Sequence, residues 1–150
     1  MAYMETFFMA LADKTRLRLL NLMRDDEICV CFFTEVLGDS QPKISRHLAY
    51  LRNAGIVEAR REGKWMHYSI LAPNDEGGKK VLESVLEWLA SKDEMRMDLE
   101  KYERVCCSPE LLVQIARTPM NFISPSADAL DSERPADIVS AHNELEEFLL

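Results

Sequence analysis

The four cysteines fall in two tight groups, Cys29-Val-Cys31 and Cys106-Cys107. Paired thiolates are the strongest soft-ion ligands a chain can offer. The ions that select sulfur are As, Sb, Cd, Pb, Zn and Cu(I). Redox chemistry to disulfides or persulfides is the other use of such pairs. The opening residues, Met1 to Ala10, lack a basic region and meet Glu5 early, unlike an export signal. No apolar run approaches the ~20 residues of a membrane span. Reduced thiols in a cytoplasmic protein are therefore expected, not a disulfide scaffold. A thiol enzyme is disfavoured, because no cysteine is followed six positions later by arginine and no glycine-rich cofactor loop occurs. Residues 75–105 contain no histidine, which argues strongly against a nitrogen/oxygen metal site there.

A second constellation is basic. The net charge is -8, yet residues 1–72 hold ten Lys/Arg against nine Asp/Glu, while residues 73–150 hold eight against seventeen. Within residues 40–64 six basic side chains face only Glu58 and Glu62. Affinity for phosphate depends on local positive charge, so one basic stripe suffices in an acidic protein. In Ser40-Gln-Pro-Lys-Ile-Ser-Arg-His-Leu48, a helix burying Ile44, Leu48 and Leu51 turns Lys43, Arg46 and Tyr50 outward, with Gln41 and Ser45 flanking. Arg and Lys suit guanine edges or phosphates, Gln suits adenine, and Ser and Tyr suit phosphates. His47 falls beside the buried stripe and is expected to make a structural hydrogen bond.

The elements that must hold these groups follow from local pattern. Met4 to Arg24 reads as helix broken near Ala12-Asp13, with Asp13 as N-cap. Glu27 to Cys31 is a brief extended segment or the entry to a short helix over Phe32–Leu37 that Gly38 ends. Ser40 caps the next helix, Pro42 sits in its first turn, and Gly55 closes it. Candidate strands Ile56–Arg61 and Trp65–Leu71 flank a Glu62-Gly63-Lys64 turn. A helix-turn-helix followed by a basic hairpin is a winged helix, mainly α with a small β-hairpin. Residues 75–105 read as one long helix whose apolar stripe needs a partner chain to cover it. This gives a DNA-binding and dimerisation domain over 1–107 and a C-terminal extension over 108–150. Ser108-Pro109 starts a short helix, residues 118–136 have linker composition, and residues 136–150 are amphipathic and acidic. That last stretch is expected to pack on the dimer or to compete with DNA for the basic face.

Glu27-Ile-Cys-Val-Cys31, Ser40 to Leu48 and Gly63-Lys-Trp-Met-His-Tyr68 together resemble the arsenic-responsive repressors of the ArsR/SmtB family, a likeness covering roughly residues 5–105. It implies a homodimeric winged-helix repressor, dimerised through terminal helices, that leaves double-stranded operator DNA when a thiophilic ion binds. In such a dimer the two recognition helices would enter successive major grooves, with Arg60, Arg61 and Lys64 on the flanking backbone. No cofactor is required; the inducer is arsenite or a methylated trivalent arsenical. Arsenic sensors with this motif typically read Cys-Val-Cys-x-x-Cys. Here the third position is Thr34, a poor soft ligand. Two thiolates suit an arsenical carrying one carbon substituent, or take a third sulfur from Cys106 or Cys107. Those two cysteines are ligands, core thiols or redox groups. The family's lead/cadmium sensors add cysteines near the N-terminus, and none precedes Cys29 here.

Arg46→Ala is expected to lose operator affinity while keeping the fold, as read by fluorescence anisotropy and circular dichroism. Lys64→Ala is expected to weaken all DNA sequences alike and to lower the salt slope by about one unit.

Overall fold

A computed structural model describes residues 2–117, which lie within one compact unit spanning Met1–Thr118. The expected linker over 118–136 and the amphipathic stretch 136–150 lie outside the described residues. Among the described residues seven helices and three short strands follow in the order α1 (Ala2–Leu11), α2 (Lys14–Leu22), β1 (Ile28–Cys29), α3 (Val30–Leu37), α4 (Gln41–Asn53), β2 (Val57–Glu62), β3 (Trp65–Ile70), α5 (Glu76–Ala90), α6 (Asp93–Cys106) and α7 (Pro109–Arg117). This is a winged helix-turn-helix.

The first helical region divides where Asp13 stops one helix and starts another. Its carboxylate accepts the Arg16 backbone N–H at 2.9 Å, satisfying one of the donors a helix start leaves open. Between α3 and α4 the turn is set by Gly38, whose φ of +71° is a left-handed conformation that costs glycine nothing. Ser40 occupies the N-cap of α4 in extended conformation, but its side chain makes no capping bond, so the expected hydroxyl cap is absent. Ile44, Leu48 and Leu51 are completely buried on α4, against Leu19 and Leu20 of α2 and Phe33 of α3 in the same core. Burying each of these side chains contributes about 1.5–3 kcal/mol, enough to fix which face of α4 looks out.

The sheet has one strand more than the expected hairpin. Its order is β1-β3-β2, with Ile28 opposite Tyr68 and Cys29 opposite His67. The segment 27–31 thus serves as both strand and helix entry, and α3 begins at Val30, ahead of the expected Phe32. In the wing, Gly63 takes a φ of +60° at the tight turn between β2 and β3.

The long helix expected over 75–105 is two helices. Lys92 is extended (φ -92°, ψ 132°), and the Ser91 hydroxyl donates to the Trp88 carbonyl at 2.7 Å. Asp93 and Glu94 then sit in the first turn of α6, where carboxylates complement the helix dipole. Phase explains the break. At 100° per residue, Leu89 and Met95 would point about 120° apart on a continuous helix, and here both are buried.

Polar ties then fix α6 and α5 to the helix-turn-helix. Arg18 of α2 donates two 2.7 Å bonds to Asp98 of α6, a carboxylate only 5 % exposed. Buried Asn21 donates to the Met95 carbonyl at 2.9 Å, and Arg24 donates to the Leu86 carbonyl of α5 at 2.6 Å. Lys101 donates to the Val36 carbonyl at the end of α3. Asp98→Ala strands a partly buried arginine and is expected to cost about 3 kcal/mol in urea unfolding. Removing Glu94 from its exposed pair with Lys14 is expected to change stability by less than about 1 kcal/mol in the same assay.

Candidate functional site: a dithiol beside a basic surface

Cys29 ends β1 and is the N-cap of α3, and Cys31 lies in that helix's first turn. The two Sγ atoms are 3.0 Å apart, with Cys31 donating to Cys29. This bond and, more weakly, the N–H groups of Cys31 and Val30 pull the Cys29 thiol down to about 7 against the opposing effect of burial. Cys31 is pushed upward by its bond to Cys29, then by burial and by the neighbouring charge. Above about pH 7 the pair is thus a thiolate–thiol unit sharing one proton. At the position of the missing third cysteine, Thr34 turns its hydroxyl onto the Cys31 carbonyl at 2.8 Å, so it offers the thiols nothing.

The second cysteine pair ends α6. Cys106 is half-buried, and Cys107 is exposed in a shallow cleft with Glu100, Glu103 and Arg104. Tyr102 links the two regions: its ring meets Phe32 of α3 edge-on at 5.8 Å. Its hydroxyl is pushed above the ordinary tyrosine range by burial, then by a hydrogen bond with Cys106 and by the charges of Cys106, Asp26 and Cys31. Among the described residues no three His, Cys, Asp or Glu side chains converge as a metal-binding group. Within one protomer the four cysteines are thus not assembled into a single three-ligand centre.

On α4, Arg46 is exposed, and Gln41, Lys43, Ser45 and Tyr50 are partly so; Ser40 just precedes them at the surface. Lys43 pairs with Asp39 at 2.8 Å. Arg16 lies over the Tyr50 ring at 4.2 Å, while its own guanidinium donates to the Ala10 and Met9 carbonyls. Arg16 thus sits beside Tyr50 at the end of α1, a neighbour that no local pattern in the sequence signals. His47 faces Asp13 at 3.5 Å, and burial holds its pKa below the ordinary value.

The wing carries Arg60, Arg61 and Lys64, all exposed. Arg61 donates to the Gly63 carbonyl, and Lys64 lies over Trp65 at 5.1 Å. Arg60 is engaged differently: Glu27, just before β1, and Glu62 both accept from its guanidinium. The Arg60 bond holds the Glu27 carboxyl below the usual range. Sequence reading missed Glu27, because the two residues are 33 positions apart and meet only through the β1–β3–β2 sheet.

Residues 13–59 match the bacterial regulatory protein arsR family. An arsenic resistance transcriptional regulator of Pseudomonas putida is 48 % identical over 96 residues, covering 60 % of this chain and 73 % of its own. The arsenical resistance operon repressor of Escherichia coli is 36 % identical over 102 residues, covering 67 % and 86 % respectively. Among solved structures, HlyU from Vibrio cholerae superposes with a TM-score of 0.53 at 28 % identity, over 60 % of this chain and 95 % of that one.

Ultraviolet absorbance of thiolate against pH is expected to show one group ionising near pH 7. Cys31→Ser keeps only a hydroxyl donor and is expected to raise that midpoint, while Cys29→Ser removes the transition.

Proposed function

The chain belongs to the arsR family of bacterial regulatory proteins, and from that premise we propose that it is a homodimeric repressor released from operator DNA by trivalent arsenic bound at Cys29 and Cys31. The family consists of DNA-binding transcriptional regulators, which disposes of the thiol-enzyme alternative. The observation that carries the arsenical reading is the 3.0 Å dithiol at the start of α3. That helix ends three residues before α4, so displacing its first turn acts on the support of the DNA-reading helix.

The chemistry balances simply. Each of the two sulfurs replaces one hydroxyl of a trivalent arsenical, forming an As–S bond and releasing water. Two sulfurs satisfy an arsenical that keeps a carbon substituent; arsenite retains one hydroxyl or takes a third sulfur. Cys106 and Cys107, at the end of α6, are the available third donors from this or a partner chain. A coupling of ~1–3 kcal/mol between the sites would weaken DNA binding ~5–150-fold.

Dimerisation has a surface suited to it. Tyr3, Met4 and Phe8 of α1 and Trp88 of α5 are exposed, Trp88 by 66 %. Val81, Val85 and Trp88 line a shallow apolar groove on α5. A second copy covering these helices would place two α4 helices on one face, as a palindromic operator requires. Ser40, Gln41, Lys43, Ser45, Arg46 and Tyr50 would meet the groove, and Arg60, Arg61 and Lys64 the flanking phosphates. No helix among the described residues is long and apolar enough to cross a membrane; a cytoplasmic location goes with the proposed work on operator DNA.

The same sulfur contact also suits oxidation to a disulfide, with two electrons and two protons passing to a peroxide that becomes water. Release by peroxide without any metalloid, reversed by dithiothreitol, marks that reading. The deciding experiment titrates the operator-bound protein with arsenite, a methylated trivalent arsenical, Cd(II) and Zn(II) under fluorescence anisotropy. Release by the arsenicals at lower concentration than by either metal supports the proposal; release by Cd(II) alone replaces arsenic with cadmium. Cys29→Ser and Cys31→Ser are each expected to bind operator normally and to resist release, because a hydroxyl is too hard a donor for As(III). Serine variants that still release DNA would move the sensor to Cys106 and Cys107.

A further inference from the structure

Arg60 is a wing cation whose charge is already in use. Its Nη2 lies 2.5 Å from Glu27 Oε1 and 3.1 Å from Glu62 Oε2, and its Nε lies 3.1 and 3.2 Å from the two Glu27 oxygens. His67, directly across from Arg60 on β3, stands 3.9 Å from Glu27 and 3.5 Å from Glu62. A guanidinium held by two carboxylates presents no net positive charge to a phosphate, so the contact expected of Arg60 requires at least one of them to let go. Glu62 shares the β2 strand with Arg60 and travels with it. Glu27 does not: it belongs to the segment entering β1, two residues before Cys29. Cys29 and Arg60 are moreover the two cross-strand neighbours of the same residue, His67.

We propose that Glu27 competes with DNA phosphate for Arg60, so that one salt bridge both sets operator affinity and carries the state of the thiol pair to the wing. With Glu27 on Arg60 the wing is short of one phosphate contact. With Glu27 released, Arg60 keeps only Glu62 and turns its remaining donors to the DNA surface. Displacement of β1 and the first turn of α3 by a ligand at Cys29 and Cys31 shifts Glu27 relative to Arg60, and this second part rests on the sensing role proposed above. The exposed position of the pair makes it adjustable: such surface bridges are weak enough for a phosphate to replace.

The test uses the full-length protein and its operator, with affinity measured against salt concentration for wild type, Glu27→Gln, Arg60→Ala and the double variant. Glu27→Gln is expected to tighten binding about 2–5-fold, the loss of one surface competitor, and to steepen the log–log salt slope by about 0.9. Arg60→Ala is expected to weaken binding and flatten the slope, and Glu27→Gln is expected to add nothing in its background. The factor by which arsenite weakens DNA binding is expected to differ between Glu27→Gln and wild type. Wild-type affinity and slope in Glu27→Gln overturn the competition. Equal tightening in the Arg60→Ala background also overturns it, since removing any acid would then suffice. An unchanged arsenite factor overturns the link to the thiols. If arsenite releases no DNA from the wild type, the sensing role itself fails, and the salt slopes still decide the competition.

Discussion

The antiparallel pairing of Ile28 and Cys29 with Tyr68 and His67 fixes three positions at once. It brings the end of β1 against the wing, starts α3 at a defined point, and turns the Cys29 sulfur toward the helix's first N–H groups. A strand of two residues has little stability of its own. It holds because Ile28, Cys29 and Val30 are all buried beside the α2–α3–α4 core. The thiol chemistry and the wing geometry are therefore consequences of one short ladder, anchored by apolar burial on one side and by hydrogen bonds on the other.

A second set of constraints runs across the molecule from α6. Arg18–Asp98, Asn21–Met95 and Lys101–Val36 join that helix to α2 and to the far end of α3, while Phe32 and Tyr102 join it near the first turn. The three hydrogen-bonded contacts are polar and directional, so they specify one seating of α6 where apolar packing alone would tolerate several. α3 is consequently held at both ends by a helix that ends at the second cysteine pair. Movement at the start of α3 must either carry α6 along or shear against it.

Much of this architecture is legible locally. The Ile44, Leu48, Leu51 stripe, Asp13 as a cap, Gly38 and the glycine turn of the wing each rest on residues within a few positions of one another, where periodicity and backbone preference decide. The break at Ser91–Lys92 was not read, since the apolar positions on either side are each helical; only their 120° mismatch across Leu89 and Met95 betrays it. The third strand was half-visible in Ile28 and Cys29 and needed a partner forty residues away. For the candidate site, the outward face of α4 follows from spacing, whereas the 3.0 Å approach of Cys29 and Cys31 depends on the strand-to-helix transition at Cys29, and the Glu27–Arg60 and Arg16–Tyr50 contacts exist only after folding. Whether Cys106 and Cys107 join the first pair is a question of tertiary placement, on which spacing is silent.

The single proton shared by Cys29 and Cys31 also sets a proton inventory for whatever ligand the pair takes. Above about pH 7 the unit carries one proton and one negative charge. Closing a neutral arsenical across it, with both hydroxyls leaving as water, then consumes one proton from solution; below that pH it consumes none. A divalent aqua ion does the reverse, expelling the remaining proton above pH 7 and two below. Capture of the proposed arsenical would thus weaken about tenfold per pH unit on the alkaline side, while capture of a divalent metal would strengthen. Two sulfurs at one distance become selective between oxoacid and cation through acidity alone, with no change of shape.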